Sequence, residues 1–375
     1  MNYLERLRHN SYLYIGYPPA TDFKLSGYAE LLDYSMNSLG NPYDLSNPFS
    51  SHAHEKAVID FFMDMYNLEK NDYWGYIANC STESILYCIW KAKEYLHNHN
   101  KPIKIICNNF SHYSIDKVSE ILDIELMKIS TNSIGEINYH ELEYNLDETY
   151  SYIFFATVGS TITSTIDDVT KIKQLFKARK IIHYIHADGA FDGAFLPFTN
   201  DFCKINGFDS INISGHKFIG SPMPSGITII KQEYVKGNYI EIVSNDDITI
   251  GGSRNGLVPY LLYKRIQQIG GAKGMKNRYL QCLANAEKYF QILTDKKIKS
   301  FKLSNAITIV LSDIPKEVMK KWHAPTKGNL TTLTVLPKLD ENKLDEFIKD
   351  LKDHEKGIFK LELMKTEMPC IVDAL

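Results

Sequence analysis

The chain is 375 residues long, 44% apolar and 12% aromatic, which suffices for one large domain, a smaller companion and a substantial core. Its formal charge of −3 and its scattered lysines and arginines exclude a general attraction to nucleic acid or to anionic membranes. Six cysteines, at positions 80, 88, 107, 203, 282 and 370, form no Cys-x-x-Cys pair, so reduced thiols are expected, with neither disulfides nor a metal centre.

The amino-terminal Met1-Asn2-Tyr3-Leu4-Glu5-Arg6-Leu7-Arg8 carries charges where an export signal needs an unbroken apolar segment. No later run is long enough to span a bilayer, and a cytoplasmic protein is expected. Residues 1–45, broken by Gly16-Tyr17-Pro18-Pro19 and Gly40-Asn41-Pro42, are too irregular for a domain and read as an arm lying on the body, of the kind that reaches a partner subunit.

The segment from Tyr73 to Ser84 leads into a helix predicted over about Glu83 to Leu96, with Ser81 and Thr82 in its first turn. Unpaired backbone N–H groups and hydroxyls there make an anion site, the plain alternative being an ordinary helix cap. Strand-like runs follow at Ile103 to Cys107, Ile124 to Ile129, Tyr152 to Val158, His183 to Ala187, Ser210 to Ser214 and Gly226 to Ile230. Charged segments of helical period, such as Asp168 to Ala178, alternate with them, which predicts an α/β domain around a mainly parallel sheet. Phe110-Ser111-His112-Tyr113-Ser114 follows one of these strands, so His112 sits on the sheet's rim, either to stack on a ligand ring or as a surface-loop histidine.

Two strand ends carry chemistry. Asp188, in His186-Ala187-Asp188-Gly189-Ala190, and Lys217, in Ser214-Gly215-His216-Lys217-Phe218, both fall beyond the carboxyl ends of apolar runs, where α/β sheets place ligands. A lysine among small residues can form a Schiff base with an aldehyde cofactor, and a neighbouring carboxylate can hold a pyridine nitrogen protonated; together they point to pyridoxal 5'-phosphate. The phosphate of such a cofactor favours the anion-site reading of Ser81 and Thr82. Thr249 to Gly256 is a second glycine-rich, phosphate-compatible turn that lacks the pattern of a nucleotide P-loop, and no Gly-x-Gly-x-x-Gly suggests a dehydrogenase. From about residue 276 the pattern changes, with strands at Ala306 to Leu311 and Leu330 to Val335 and a helix at Glu341 to Asp353. The expected division is therefore an arm, 1–45, a large cofactor-binding domain, 46–275, and a small α+β C-terminal domain, 276–375.

The ordered motifs Asn-Cys-Ser-Thr-Glu, Ser-His-Tyr-Ser, Val-Gly-Ser-Thr, Asp-Asp, His-Ala-Asp-Gly-Ala, Ser-Gly-His-Lys-Phe-Ile-Gly-Ser-Pro-Met-Pro-Ser-Gly and Gly-Ser-Arg-Asn-Gly resemble those of the group II pyridoxal-phosphate-dependent amino-acid decarboxylases. The chain is similar above all to bacterial histidine decarboxylases and plant serine decarboxylases, from about Gly16 to about Leu351. The resemblance implies a fold-type I, aspartate-aminotransferase-like homodimer with active sites at the subunit interface. It further implies that Lys217 carries the cofactor, Asp188 pairs with its ring nitrogen, His112 stacks on one ring face and Ala190 packs on the other. Ser81, Thr82, Ser214 and His216 would surround the phosphate, Gly252 and Ser253 would contribute from the other subunit, and Thr157 would lie near the ring oxygen.

The implied activity is decarboxylation of an L-amino acid to its amine, histidine first and serine second. Another lyase reaction on the same scaffold and a noncatalytic relative are the competing readings. Lys217, His216, Tyr113 or a residue between Ser312 and Asn329 could return the proton, and Trp322 and His323 in that stretch suit packing as well as catalysis. Where the family usually has Gly-Thr-Glu-Gly-Asn, this chain has Ser81-Thr82-Glu83-Ser84-Ile85, which is expected to preserve phosphate binding unless a glycine is needed at positive φ.

Overall fold

The computed structural model describes residues 2–16, 22–48, 50–241 and 245–366, with side chains as far as residue 354. The Tyr17-Pro18-Pro19 part of the expected arm, and the end of the expected C-terminal domain with Cys370, lie outside the described residues. The chain forms two compact units, one of Met1–Tyr17, Leu283–Lys302 and Ala306–Leu375, the other of Pro18–Cys282 and Leu303–Asn305.

The larger unit is built on seven strands: β1 (Tyr73–Ala78), β2 (Ile103–Asn108), β3 (Glu125–Ile129), β4 (Ser151–Thr157), β5 (His183–Asp188), β6 (Ser210–Ser214) and β7 (Gly226–Lys231). Their order is β1-β7-β6-β5-β4-β2-β3. The pairs among β2 to β6 are parallel, and β7 is antiparallel to both neighbours. Every residue of β4 and β6 is buried, the pattern of central strands covered on both faces. The strand Tyr73–Ala78, which the sequence reading treated only as the approach to a helix, forms the sheet's far edge beside β7.

Helix α1 (His52–Met65) precedes β1, and α2 (Ser81–His97) follows it and lies across β4 to β7. Ile85, Cys88, Ile89, Ala92 and Leu96 form the buried stripe of α2, spaced as an amphipathic helix requires. Gly226 allows its close approach: a Cβ there would strike Ser84 Oγ and the Cys80 carbonyl. The start of α2 is thus seated on β7, beside the end of β6.

In the smaller unit, strands Ser300–Phe301, Thr308–Ser312, Leu330–Thr334 and Thr326–Lys327 pair antiparallel in that order. Its core gathers Ile309, Leu333, Phe347 and Trp322. Trp322 is 1% exposed and donates from Nε1 to Asp350 Oδ2 at 2.7 Å. It follows the short helix Lys316–Lys321, so the stretch from Ser312 to Asn329 is largely structured and its tryptophan packs inside this unit.

Candidate active site

Parallel pairing sets the site's register. Thr157, Asp188 and Asn212 stand opposite one another across β4, β5 and β6, with His186 opposite Ser210 two residues earlier. Because side chains alternate along a strand, His186 and Asp188 share a face with Ser210, Asn212 and Ser214. This polar row runs toward the start of α2, where Ser214 Oγ lies 2.6 Å from Ser81 Oγ.

Asp188 is 7% exposed. Its Oδ1 accepts from Asn212 Nδ2 at 3.0 Å and from the Ala190 N–H at 3.2 Å, and no hydrogen bond engages Oδ2 among the described residues. Lys217 lies just past β6, and no hydrogen bond or ion pair holds its amine among the described residues. Burial lowers its pKa while the nearby Asp188 and Asp192 oppose the shift. His112 is part-buried, its Nδ1 accepting from the Ser114 N–H at 3.2 Å with Ser114 Oγ at 2.8 Å. Burial also lowers its pKa, with Asp188 and Lys217 close enough to bias it in opposite directions, so the structure brings His112, Asp188 and Lys217 together.

Thr157 is buried, and its Oγ1 lies 2.8 Å from Ser111 Oγ in the His112 loop. The Ser225 N–H donates to His216 Nδ1 at 3.3 Å, and burial with the adjacent Lys217 charge lowers the His216 pKa. The Ser81, Thr82 and Glu83 N–H groups at the start of α2 make no hydrogen bond among the described residues. None of residues 81–85 has positive φ, so no glycine is required by backbone geometry there. Ser84 instead faces the sheet, accepting from Thr228 Oγ1 at 2.8 Å, and Ile85 is a core residue. Gly252 and Ser253 are exposed; Ser253 pairs with Leu39 and accepts from Asn37 Nδ2 at 3.2 Å, outside the Lys217 cluster.

Four buried polar groups escaped the sequence reading. His186 is fully buried between Ser210 Oγ and Asn212 Oδ1, each 2.8 Å from a ring nitrogen. Asp167 accepts from the Thr157 N–H at 2.8 Å and from Asn108 Nδ2, tying β4 to the end of β2; burial pushes its pKa up to about 7 against those bonds. Asp192 is buried near Lys217 with an unpaired Oδ1, and burial holds its pKa well above the usual carboxylate range. Gly159, at φ +87°, packs so closely on that carboxyl that no Cβ would fit. Arg254, from the second glycine-rich turn, points inward to Glu55 Oε1 at 2.5 Å and the Gly40 carbonyl at 3.0 Å. Only the doublet Asp167-Asp168 and the His-x-Asp spacing hinted at any of this in sequence.

Burial brings the His186 pKa down to about 4, so its imidazole is neutral in the fold but titrates near 6.5 in the unfolded chain. Between those values the folded state binds fewer protons, and unfolding free energy falls as pH is lowered from 6.5 toward 4. The gap corresponds to about 3 kcal/mol, and His112 and His216 act in the same direction. Urea titrations at pH 7 and pH 5 are expected to show about 2 kcal/mol of that loss, with a shallower dependence in His186→Gln.

The sequence model of the pyridoxal-dependent decarboxylase conserved domain matches residues 9–311. The chain is 31% identical to serine decarboxylase 2 of Oryza sativa subsp. japonica, over 98% of this chain and 80% of the relative. It is 32% identical to the histidine decarboxylase of Vibrio campbellii, over 91% and 90% of the two chains. In three dimensions it is similar to L-methionine decarboxylase from Streptomyces sp.590, with a TM-score of 0.82 and 19% identity over 93% of this chain and 92% of that one.

Proposed function

The chain belongs to the pyridoxal-dependent decarboxylase family and is a pyridoxal-phosphate-dependent amino-acid carboxy-lyase; from that premise we propose that it converts L-histidine to histamine, with L-serine to ethanolamine as the alternative. Agreement of length supports histidine first: the Vibrio campbellii histidine decarboxylase is matched over 90% of its length, the rice serine decarboxylase over 80%.

Three features support the fit to the cofactor. Among the described residues, Lys217 keeps an amine without a hydrogen bond, Asp188 keeps Oδ2 spare, and the first N–H groups of α2 lack acceptors beside Ser81 and Ser214. Bound there, pyridoxal phosphate supplies an electron sink for the pair left when carbon dioxide departs. Lys217, made less basic by burial, offers the amine that anchors it. Asp188 would hold the proton on the ring nitrogen, His112 would cover one ring face and Ala190 the other, and Thr157 would donate toward the ring oxygen. Ser81, Thr82, Ser214 and His216 would hold the phosphate. For the proton returned to the reacting carbon, Lys217 stands at the cluster, whereas Tyr113 is 70% exposed.

Gly252 and Ser253 serve the active site of a second copy of this chain, a role supported by their exposure and their place outside the Lys217 cluster. Sedimentation at the mass of two chains is the expected result. The uncombined thiols of Cys80, Cys88, Cys107, Cys203 and Cys282 support residence in the reducing cytoplasm. No described helix is long and apolar enough to cross a membrane.

The deciding experiment incubates the protein and pyridoxal phosphate with a panel of L-amino acids and identifies amines by mass spectrometry. Histamine alone supports the proposal, ethanolamine alone moves it to serine, and aldehyde or ammonia without an amine overturns decarboxylation of the panel.

A further inference from the structure

Asp188 is the end of a buried chain of hydrogen bonds. Ser210, His186 and Asn212 are all 0% exposed, and each contact is made by neighbouring strands held in register, Ser210 opposite His186 and Asn212 opposite Asp188. The distances are 2.8 Å from Ser210 Oγ to His186 Nδ1, 2.8 Å from His186 Nε2 to Asn212 Oδ1, and 3.0 Å from Asn212 Nδ2 to Asp188 Oδ1.

The chemistry of the groups sets the direction of every proton. An ionised Asp188 can only accept, so the Asn212 amide turns its NH2 toward it. Its carbonyl oxygen then faces His186, which requires the histidine proton on Nε2. A neutral imidazole so protonated accepts at Nδ1, and Ser210 Oγ–H must be the donor; burial does keep this ring neutral. All three donors therefore point the same way, toward Asp188, and each polarises the next.

We propose that Ser210, His186 and Asn212 are positioning residues that fix Asp188 as an ionised, oriented carboxylate, and so keep the ring nitrogen of the bound cofactor protonated. Oδ1 is occupied by Asn212 and Ala190, which orients the carboxyl and leaves Oδ2 for the ring. The inference rests on the assignment of Asp188 as the ring-nitrogen partner. It adds that the partner's orientation is set by residues that do not touch the cofactor, as outer partners orient a ligand elsewhere.

The test reconstitutes the whole protein with 15N-labelled pyridoxal phosphate and records the ring-nitrogen resonance and the cofactor dissociation constant. Asp188→Asn is expected to move the resonance toward the unprotonated position. His186→Leu should move it in the same direction and weaken cofactor binding by roughly tenfold, the scale of one hydrogen bond to a charged group. His186→Gln should restore the resonance, because a glutamine amide can donate to Asn212 and accept from Ser210. A His186→Leu protein that is less stable but keeps the wild-type resonance overturns the inference while leaving Asp188 its role. An unmoved resonance in Asp188→Asn overturns the assignment of Asp188, and the inference falls with it. Should His186→Leu fail to fold, Ser210→Ala decides: a smaller shift in the same direction supports the chain, and no shift overturns it.

Discussion

Lys217→Ala is expected to lower amine formation by about 10⁴-fold or more and to abolish covalent capture of the cofactor. Nothing else in the cluster can substitute, since Asp188, Asp192 and His112 lack an amine. The same change should leave stability unchanged or raise it, because this half-buried amine has no hydrogen bond to lose among the described residues and its charge is disfavoured by its desolvation. Loss of the visible cofactor band together with a preserved melting temperature would separate a chemical role from a structural one. Amine formation within tenfold of the wild type would remove Lys217 from the reaction.

Arg254→Ala is expected to destabilise the protein by about 3–5 kcal/mol, the scale for removing one partner of a buried ion pair. Arg254 is 3% exposed and Glu55 0%, and the Glu55 carboxylate also accepts the Ile77 N–H at 2.8 Å. The guanidinium reaches the Gly40 carbonyl too, so one side chain joins the 37–39 strand region, α1, β1 and the turn before residue 257. Alanine would leave Glu55 buried and uncompensated. Urea unfolding with and without an added Glu55→Gln change checks this: the second substitution should recover part of the loss, and a single-variant cost below about 1 kcal/mol would contradict it.

What could be read from the sequence was whatever depends on local periodicity. Asp188 and Lys217 were legible because each closes an apolar run of strand length, and Ser81 because a helical stripe begins beside it. Partners set by long-range pairing were not. Glu55 and Arg254 are 199 residues apart, and His186 meets Ser210 only through the register of β5 and β6. The turn containing Arg254 looked suited to phosphate because glycine and serine flank it, yet its arginine serves the interior while Gly252 and Ser253 face outward. Trp322 was ambiguous for a similar reason: its partners Phe347 and Asp350 arrive from a helix that begins at Glu341.

The buried row behind Asp188 also constrains how this protein can change over evolutionary time. Replacing Asn212 alone by an apolar residue strands the His186 N–H, and replacing His186 alone by an apolar residue takes a partner from both Asn212 and Ser210, each leaving a polar group unpaired in a buried interior. Exchanging several members together for apolar residues of matching shape carries a smaller penalty than any single step suggests. Drift at positions 186, 210 and 212 toward apolar residues is therefore expected to be contingent, with each such substitution admissible only on a background that already carries its companion, whereas a polar isostere such as His186→Gln can enter alone.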